Sequence, residues 1–184
     1  MKECEICQGS ALKAIVAQER MYGTGDIFNY KECSSCKALF LEDIPEDLGK
    51  YYPSNYYSFG SFNPSNALLA LLKKLRYKAF SLGFSFNSPV YYDWLSPLTL
   101  TPTSKIADIG CGNGQLLAEM AYSGFKRLDG YDPYIQAAFS SENFSIYKKD
   151  FFEIDQKYDL VMFHHSFEHL PNPVEVFTKL VTIL

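Results

Sequence analysis

A strand that runs without a break into three alternating glycines and then a helix leaves few folds open. Ile106-Ala107-Asp108-Ile109 reads as a strand, Gly110-Cys111-Gly112-Asn113-Gly114 as a tight turn, and Gln115 to Ser123 as a helix stopped by Gly124. Glycine takes left-handed backbone without steric cost and lets the main chain come close to a ligand. The helix behind the turn offers N–H groups that have no partner within it. The next strand, Arg127 to Tyr131, ends at Asp132. A carboxylate there can accept hydrogen bonds from both hydroxyls of a ribose, as in dinucleotide-binding folds. The spacing is G-x-G-x-G, not G-x-G-x-x-G, which disfavours a pyrophosphate-bearing cofactor.

The alternation continues to the end of the chain. Pro133 to Ser141 reads as a helix with proline in its first turn, and Phe144 to Tyr147 as a third strand. Tyr158 to Phe163 reads as a fourth strand, apolar enough for burial on both faces, and Val174 to Leu184 as a final helix. Strands alternating with helices predict an α/β fold with a parallel sheet and right-handed crossovers.

Upstream, Cys4-x-x-Cys7 and Cys33-x-x-Cys36 are two short pairs separated by 25 residues. Four thiolates so spaced suit tetrahedral Zn²⁺, and a site closed by four sulfurs holds structure rather than doing chemistry. Neither pair opens a helix in a βαβ unit, which disfavours a redox dithiol. The intervening chain must form its own hairpin. Short strands are expected at Ala14–Ala17, Ile27–Lys31 and Ala38–Leu41, punctuated by Gly23 and Gly25. Three parts follow: a β-rich zinc-ribbon-like domain over residues 1–45, an aromatic linker with helices over 46–103, and a nucleotide-binding unit over 104–184. In the middle part the rings of Tyr51 to Phe59 alternate with turn formers. A helix over residues 65–82, capped by Ser65 or Asn66, lines up Leu68, Leu71, Leu72, Leu75, Ala79 and Leu82. Lys73, Lys74, Arg76 and Lys78 on its flanks read as a solvated face, or alternatively as an anionic-ligand or membrane-surface patch. A short helix is expected over Val90–Leu95.

A chain that is 47% apolar and 21% charged is neither disordered nor collagen-like. A net charge of −4 argues against a nucleic-acid partner. No apolar run is long enough to span a membrane, and Met1-Lys2-Glu3-Cys4-Glu5 has no signal-peptide core, so a cytoplasmic protein is expected.

Asp108-Ile109-Gly110-Cys111-Gly112-Asn113-Gly114 resembles motif I of the class I S-adenosylmethionine-dependent methyltransferases. The resemblance covers about residues 104–184 and implies a Rossmann-like sheet that binds S-adenosyl-L-methionine through Asp108, Gly110, Gly112 and Gly114. It implies that Asp132 holds the ribose and that Asp150, with Phe151 beside it, meets the adenine edge. Tyr158 to Leu170 resembles the fourth strand and the loop beside the methyl donor, placing His164 at the donor's methionine end and His165 as a candidate catalytic base. The cysteine pairs and the Tyr51–Tyr57 segment resemble, more loosely, the zinc-binding domain and linker of sugar and polysaccharide-cluster methyltransferases. That likeness implies a small-molecule acceptor such as a sugar or nucleotide-sugar.

His165-x-x-Glu168-His169 spells a zinc-protease motif, but it follows a strand instead of lying on a long helix. Some O-methyltransferases bind a divalent metal near this position through two acids and a histidine; His165 stands where an acid is expected. Cys111 is small enough to pack inside the turn. The family's sheet has seven strands, whereas this sequence stops after the fourth and one helix. The fourth strand would become an open edge, so the sequence reads as a truncated member, as the product of a disrupted gene, or as one whose edge another chain covers. The competing functions are a non-catalytic donor-binding or scaffold protein, a zinc-ribbon nucleic-acid methyltransferase and a nucleotide-dependent oxidoreductase.

Overall fold

Two sheets organise the chain, one antiparallel with three strands and one mostly parallel with five. The computed structural model describes residues 3–51, 65–84 and 90–184. Expectations for Tyr52 to Phe59 lie outside the described residues. The chain divides into two units: Met1–Ser54 with Leu170–Thr178, and Asn55–His169 with Lys179–Leu184.

In the first unit β1 (Leu12–Gln18) pairs antiparallel with β2 (Ile27–Cys33), which pairs antiparallel with β3 (Leu39–Leu41). Glu19 fastens the β1–β2 loop, its carboxylate accepting the N–H groups of Tyr22 and Thr24. A 3-10 turn spans Leu48–Tyr51. The Tyr51 hydroxyl donates to Asp26 and its ring meets Phe28 edge-on at 5.4 Å. Among the described side chains between residues 3 and 51, the buried ones are Cys4 and Cys33. This sheet has almost no apolar core of its own.

In the second unit α1 (Ala67–Ser81) and α2 (Val90–Leu95) precede the sheet. Asn66 caps α1 by accepting the Leu69 N–H. The strands are β4 (Lys105–Ile109), β5 (Arg127–Tyr131), β6 (Phe139–Ser140), β7 (Phe144–Tyr147) and β8 (Leu160–Phe163). Helix α3 (Gln115–Ser123) lies between β4 and β5; α4 (Pro173–Ile183) follows β8 in sequence and is divided between the two units after Thr178. The sheet order is β6-β7-β5-β4-β8, with β6 antiparallel and the others parallel. The core joins Ile106 and Leu128 of the sheet, Leu117 and Met120 of α3, and Tyr92 of α2. Each large side chain so buried contributes about 1.5–3 kcal/mol. No helix of the described residues is long and apolar enough to cross a membrane.

Four expectations need correction. Residues 133–141 are not a helix. The Asp132 carboxylate accepts the Tyr134 N–H and closes a local turn, and Phe139–Ser140 then doubles back onto Ser145 and Ile146. An aspartate bonding its own downstream backbone competes with helix initiation. The fourth strand starts at Leu160, not Tyr158, and only Met162 of it is buried, because β8 is the last strand of the described sheet on that side. On α1 the leucine stripe is exposed. The face that packs carries Tyr77 and Phe80, whose rings lie 5.1 Å from Tyr92, with Tyr77 also 5.3 Å from Phe125. Lys73, read as solvated, pairs with Glu119.

Candidate functional site

The parallel strands run β7-β5-β4-β8, so the first strand in sequence is flanked by the second and the fourth. The winding direction therefore reverses between β4 and β8. In open α/β sheets a crevice for ligands forms outside the carboxyl ends of the strands at such a point. The expected site residues stand in a row along that edge: Asp150 beyond β7, Asp132 beyond β5, the glycine turn beyond β4, and His164 and His165 beyond β8.

Gly110, Gly112 and Gly114 all take positive φ, at 72°, 55° and 76°. The turn is pinned to β5 through the Gly110 N–H, which donates to the Tyr131 carbonyl at 2.7 Å. Asp132 is 6% exposed, and its carboxylate accepts the backbone N–H groups of Gly112 at 3.0 Å on one oxygen and Tyr134 at 2.8 Å on the other, with the Ile135 N–H a further donor. The carboxylate is thus fastened to the turn. Burial raises the Asp132 pKa against these hydrogen bonds.

Asp108, at the end of β4, is 3% exposed, and its Oδ1 has no hydrogen-bond partner. Burial, and secondarily the charge of Asp132, push its pKa to about 7. Across the switch point, His164 is half-buried with an unpartnered Nε2, and its ring stacks on Trp94 of α2 at 4.5 Å. Burial, then the neighbouring His165, lower the His164 pKa. His165 is exposed and turns the chain with φ 54°. Two buried polar atoms without partners thus stand beyond adjacent strands, since Asp108 pairs with Met162 and Ile109 with Phe163. A buried polar group without a partner costs about 1–3 kcal/mol, so such a pair asks for a ligand.

Asp150 caps a 3-10 turn at Phe151–Glu153, accepting the Phe152 N–H while Glu153 accepts the Asp150 N–H. Phe151 is buried against Phe152 and Phe163. A cavity of about 190 Å³ opens beside the turn, lined by Gly112, Asn113, Ile135, Ala137, Phe144 and Ile146 among others. A larger one, about 400 Å³, is lined by Thr101, Ser104 and Asp159 at the amino ends of β4 and β8, on the opposite edge from these groups.

Three contributors escaped the sequence reading. Ser166 donates from its hydroxyl to the Ile109 carbonyl at 2.5 Å and packs on Gly110. Trp94 stacks on His164. Gly130 leaves room for Cys111, whose Sγ would lie 2.5 Å from a Cβ placed there. Burial raises the Cys111 thiol pKa, which fits packing.

The four N-terminal cysteines converge, their sulfurs all within 4.8 Å of one another. Both pairs fold alike. Gln8 and Lys37, each just after the second cysteine, take φ 59° and 65°, and each donates its N–H to the first cysteine's carbonyl at 2.9 Å. The Cys36 N–H, with that of Ser35, pulls the Cys33 thiol down to about 6. Soft sulfur ligands at this spacing suit Zn²⁺.

The family model described as "Methyltransferase domain" matches residues 67–184, more than half of the chain. Among solved structures, magnesium protoporphyrin IX methyltransferase from Synechocystis PCC 6803, with bound SAM, is similar at a TM-score of 0.44 and 17% identity. The match covers 74% of this chain and 66% of that one, just short of two-thirds. No curated protein matches the chain.

Proposed function

The chain belongs to the methyltransferase-domain family, and from that premise we propose that its second unit binds S-adenosyl-L-methionine and directs the methyl group to a small-molecule acceptor. The observation that carries the reading is the pair of buried carboxylates at the switch point, one with an oxygen that has no partner. S-Adenosylmethionine supplies, when bound, a methyl group made electrophilic by a sulfonium, and it brings a second positive charge on its ammonium. A cationic ligand fits Asp108, whose ionisation burial now opposes. Asp132 would accept from the ribose hydroxyls, while its backbone bonds from Gly112 and Tyr134 fix its orientation. Gly110, Gly112 and Gly114 would let the main chain approach the nucleoside. Asp150 and Phe151 would border the adenine edge, and His164 would wall the methionine end. His165, exposed beyond β8, would take a proton from an acceptor that must lose one. Most of the protein's contribution is then alignment of the acceptor with the methyl group.

The first unit, in this reading, is a structural zinc module held by Cys4, Cys7, Cys33 and Cys36. Support comes from the lack of other buried side chains among those described over residues 3–51, since a small unit without a core needs a metal or cross-links. A sugar or nucleotide-sugar acceptor is supported by the resemblance of this module and its linker.

Calorimetry with S-adenosylmethionine and, separately, NAD tests the donor assignment. Saturable binding of S-adenosylmethionine alone, weakened at least about tenfold by Asp132→Ala, is expected. Equal binding by the variant, or no binding by the folded chain, removes the reading.

A further inference from the structure

The outward face of α1 carries a run of exposed leucines. Leu68, Leu71, Leu72, Leu75 and Leu82 are each between 52% and 68% exposed. At 100° per residue they fall within one arc of about 100°. The opposite side is already occupied by Tyr77 and Phe80 packing on Tyr92. Scattered exposed leucines need no explanation, but five along one helix face do.

Charge identifies the occupant. From residue 48 to residue 92 the sequence has no Asp or Glu, yet carries Lys50, Lys73, Lys74, Arg76 and Lys78, in a chain of net charge −4. Lys73 is already paired with Glu119, so it is not counted. Lys74 and Lys78 are exposed along one border of the leucine arc. Arg76 borders the other side, with its guanidinium 6.0 Å from the Tyr92 ring. An apolar arc edged by cations, on a helix too short to span a bilayer, is the pattern of a helix lying in a membrane interface. A second copy of this face would oppose lysine to lysine with no acid to offset them.

We propose that α1 docks the protein flat on an anionic lipid surface, the leucines entering the acyl boundary and Lys74 and Lys78 meeting the headgroups. The proposal does not depend on the methyl-transfer reading. The lysine stems lie along the apolar border while their ammonium groups stay in water. The docked helix keeps its Tyr77 and Phe80 contacts, so docking requires no unfolding.

Co-sedimentation of the full chain with phosphatidylglycerol-containing vesicles, against pure phosphatidylcholine, tests this over a salt series. Binding to the anionic vesicles at least about tenfold tighter, and weakening as salt rises, is expected. Leu71→Ser with Leu75→Ser should lose binding by at least about tenfold. Lys74→Glu with Lys78→Glu, an independent variant, should lose the anionic preference. Thermal melts should show both variants folded, because all four positions are exposed. Equal binding to neutral vesicles, or undiminished binding by the leucine variant, overturns the proposal. So does a vesicle-free dimer in sedimentation velocity that the leucine variant dissolves, which would make a second copy the occupant.

Discussion

Ser166 stands so close to Gly110 that a β-carbon added to the glycine would lie 2.4 Å from the serine Cβ. The hydroxyl of the same serine is bonded to the carbonyl of Ile109. The loop after β8 is thereby fastened to the turn after β4, and the crevice between them has a fixed floor. Gly110→Ala meets two penalties, the clash and the left-handed φ of 72°. Together they should destabilise the second unit by about 2–4 kcal/mol, read as a shifted urea midpoint. Adding Ser166→Gly should restore only the part due to the clash. Full restoration would mean that the backbone conformation carries no strain.

Asp108 gives the site a pH dependence of definite sign. Its folded pKa, about 7, lies above the ordinary carboxylate value. The folded state therefore holds the proton more tightly than the unfolded chain. Asp108 favours folding most below about pH 4; that advantage falls away as pH rises toward 7 and is gone above it. Asp108→Asn should remove this decline and raise stability at pH 8, by an amount on the order of 4 kcal/mol at most. Donor binding should run the other way. A cationic ligand prefers the ionised carboxylate, so affinity should rise between pH 5.5 and 7.5 and then level. Calorimetry across that range checks it, and a flat profile in the parent protein would remove Asp108 from the donor site.

The metal assignment predicts a separation between the units. Dialysis against a strong chelator should abolish the ordered sheet of β1 to β3, seen as amide exchange over residues 12–41, while leaving the thermal transition of the second unit in place. Replacement by Co²⁺ should give the intense thiolate charge-transfer absorption of a four-sulfur tetrahedral site. Cys33→Ser should reproduce the chelated state, because Cys33 is one of two buried side chains among those described over residues 3–51. Retention of the sheet after metal removal would show that the hairpin stands without the ion.

What could be read directly from the sequence was local. Ile106–Ile109 and Phe144–Tyr147 are short apolar strands bounded by turn formers, and the glycine turn needs its positive φ whatever surrounds it. The two cysteine pairs declare themselves by spacing. The misread residues were those decided by a partner distant in sequence or by a competing bond. Periodicity marked α1 as amphipathic but could not say that Tyr77 and Phe80, with rings from α2 and the chain after α3 as partners, would win the inner side. Helix propensity over residues 133–141 lost to one Asp132 hydrogen bond and a two-residue hairpin pairing. Ser166 and Trp94 act through contacts made across 56 and 70 positions of chain, and nothing adjacent to either announces them.

The Trp94–His164 stack supplies its own reporter. Trp94 is the chain's single tryptophan, so intrinsic indole emission comes from one place. A protonated imidazole in contact with an indole quenches its emission, and a neutral one does so less. The His164 pKa is lowered by burial, with His165 adding to the effect. Emission should therefore rise with pH through a midpoint below about 6.5, the free-histidine value. His164→Phe keeps a ring against the indole and should remove the titration, whereas His165→Phe should keep it and move its midpoint upward. Occupation of the crevice by a cationic donor should lower the midpoint further, since a positive charge nearby opposes protonation. A midpoint above 6.5, or a titration that survives His164→Phe, would place the imidazole in solvent rather than against the indole, and the wall assigned to the methionine end would be lost with it.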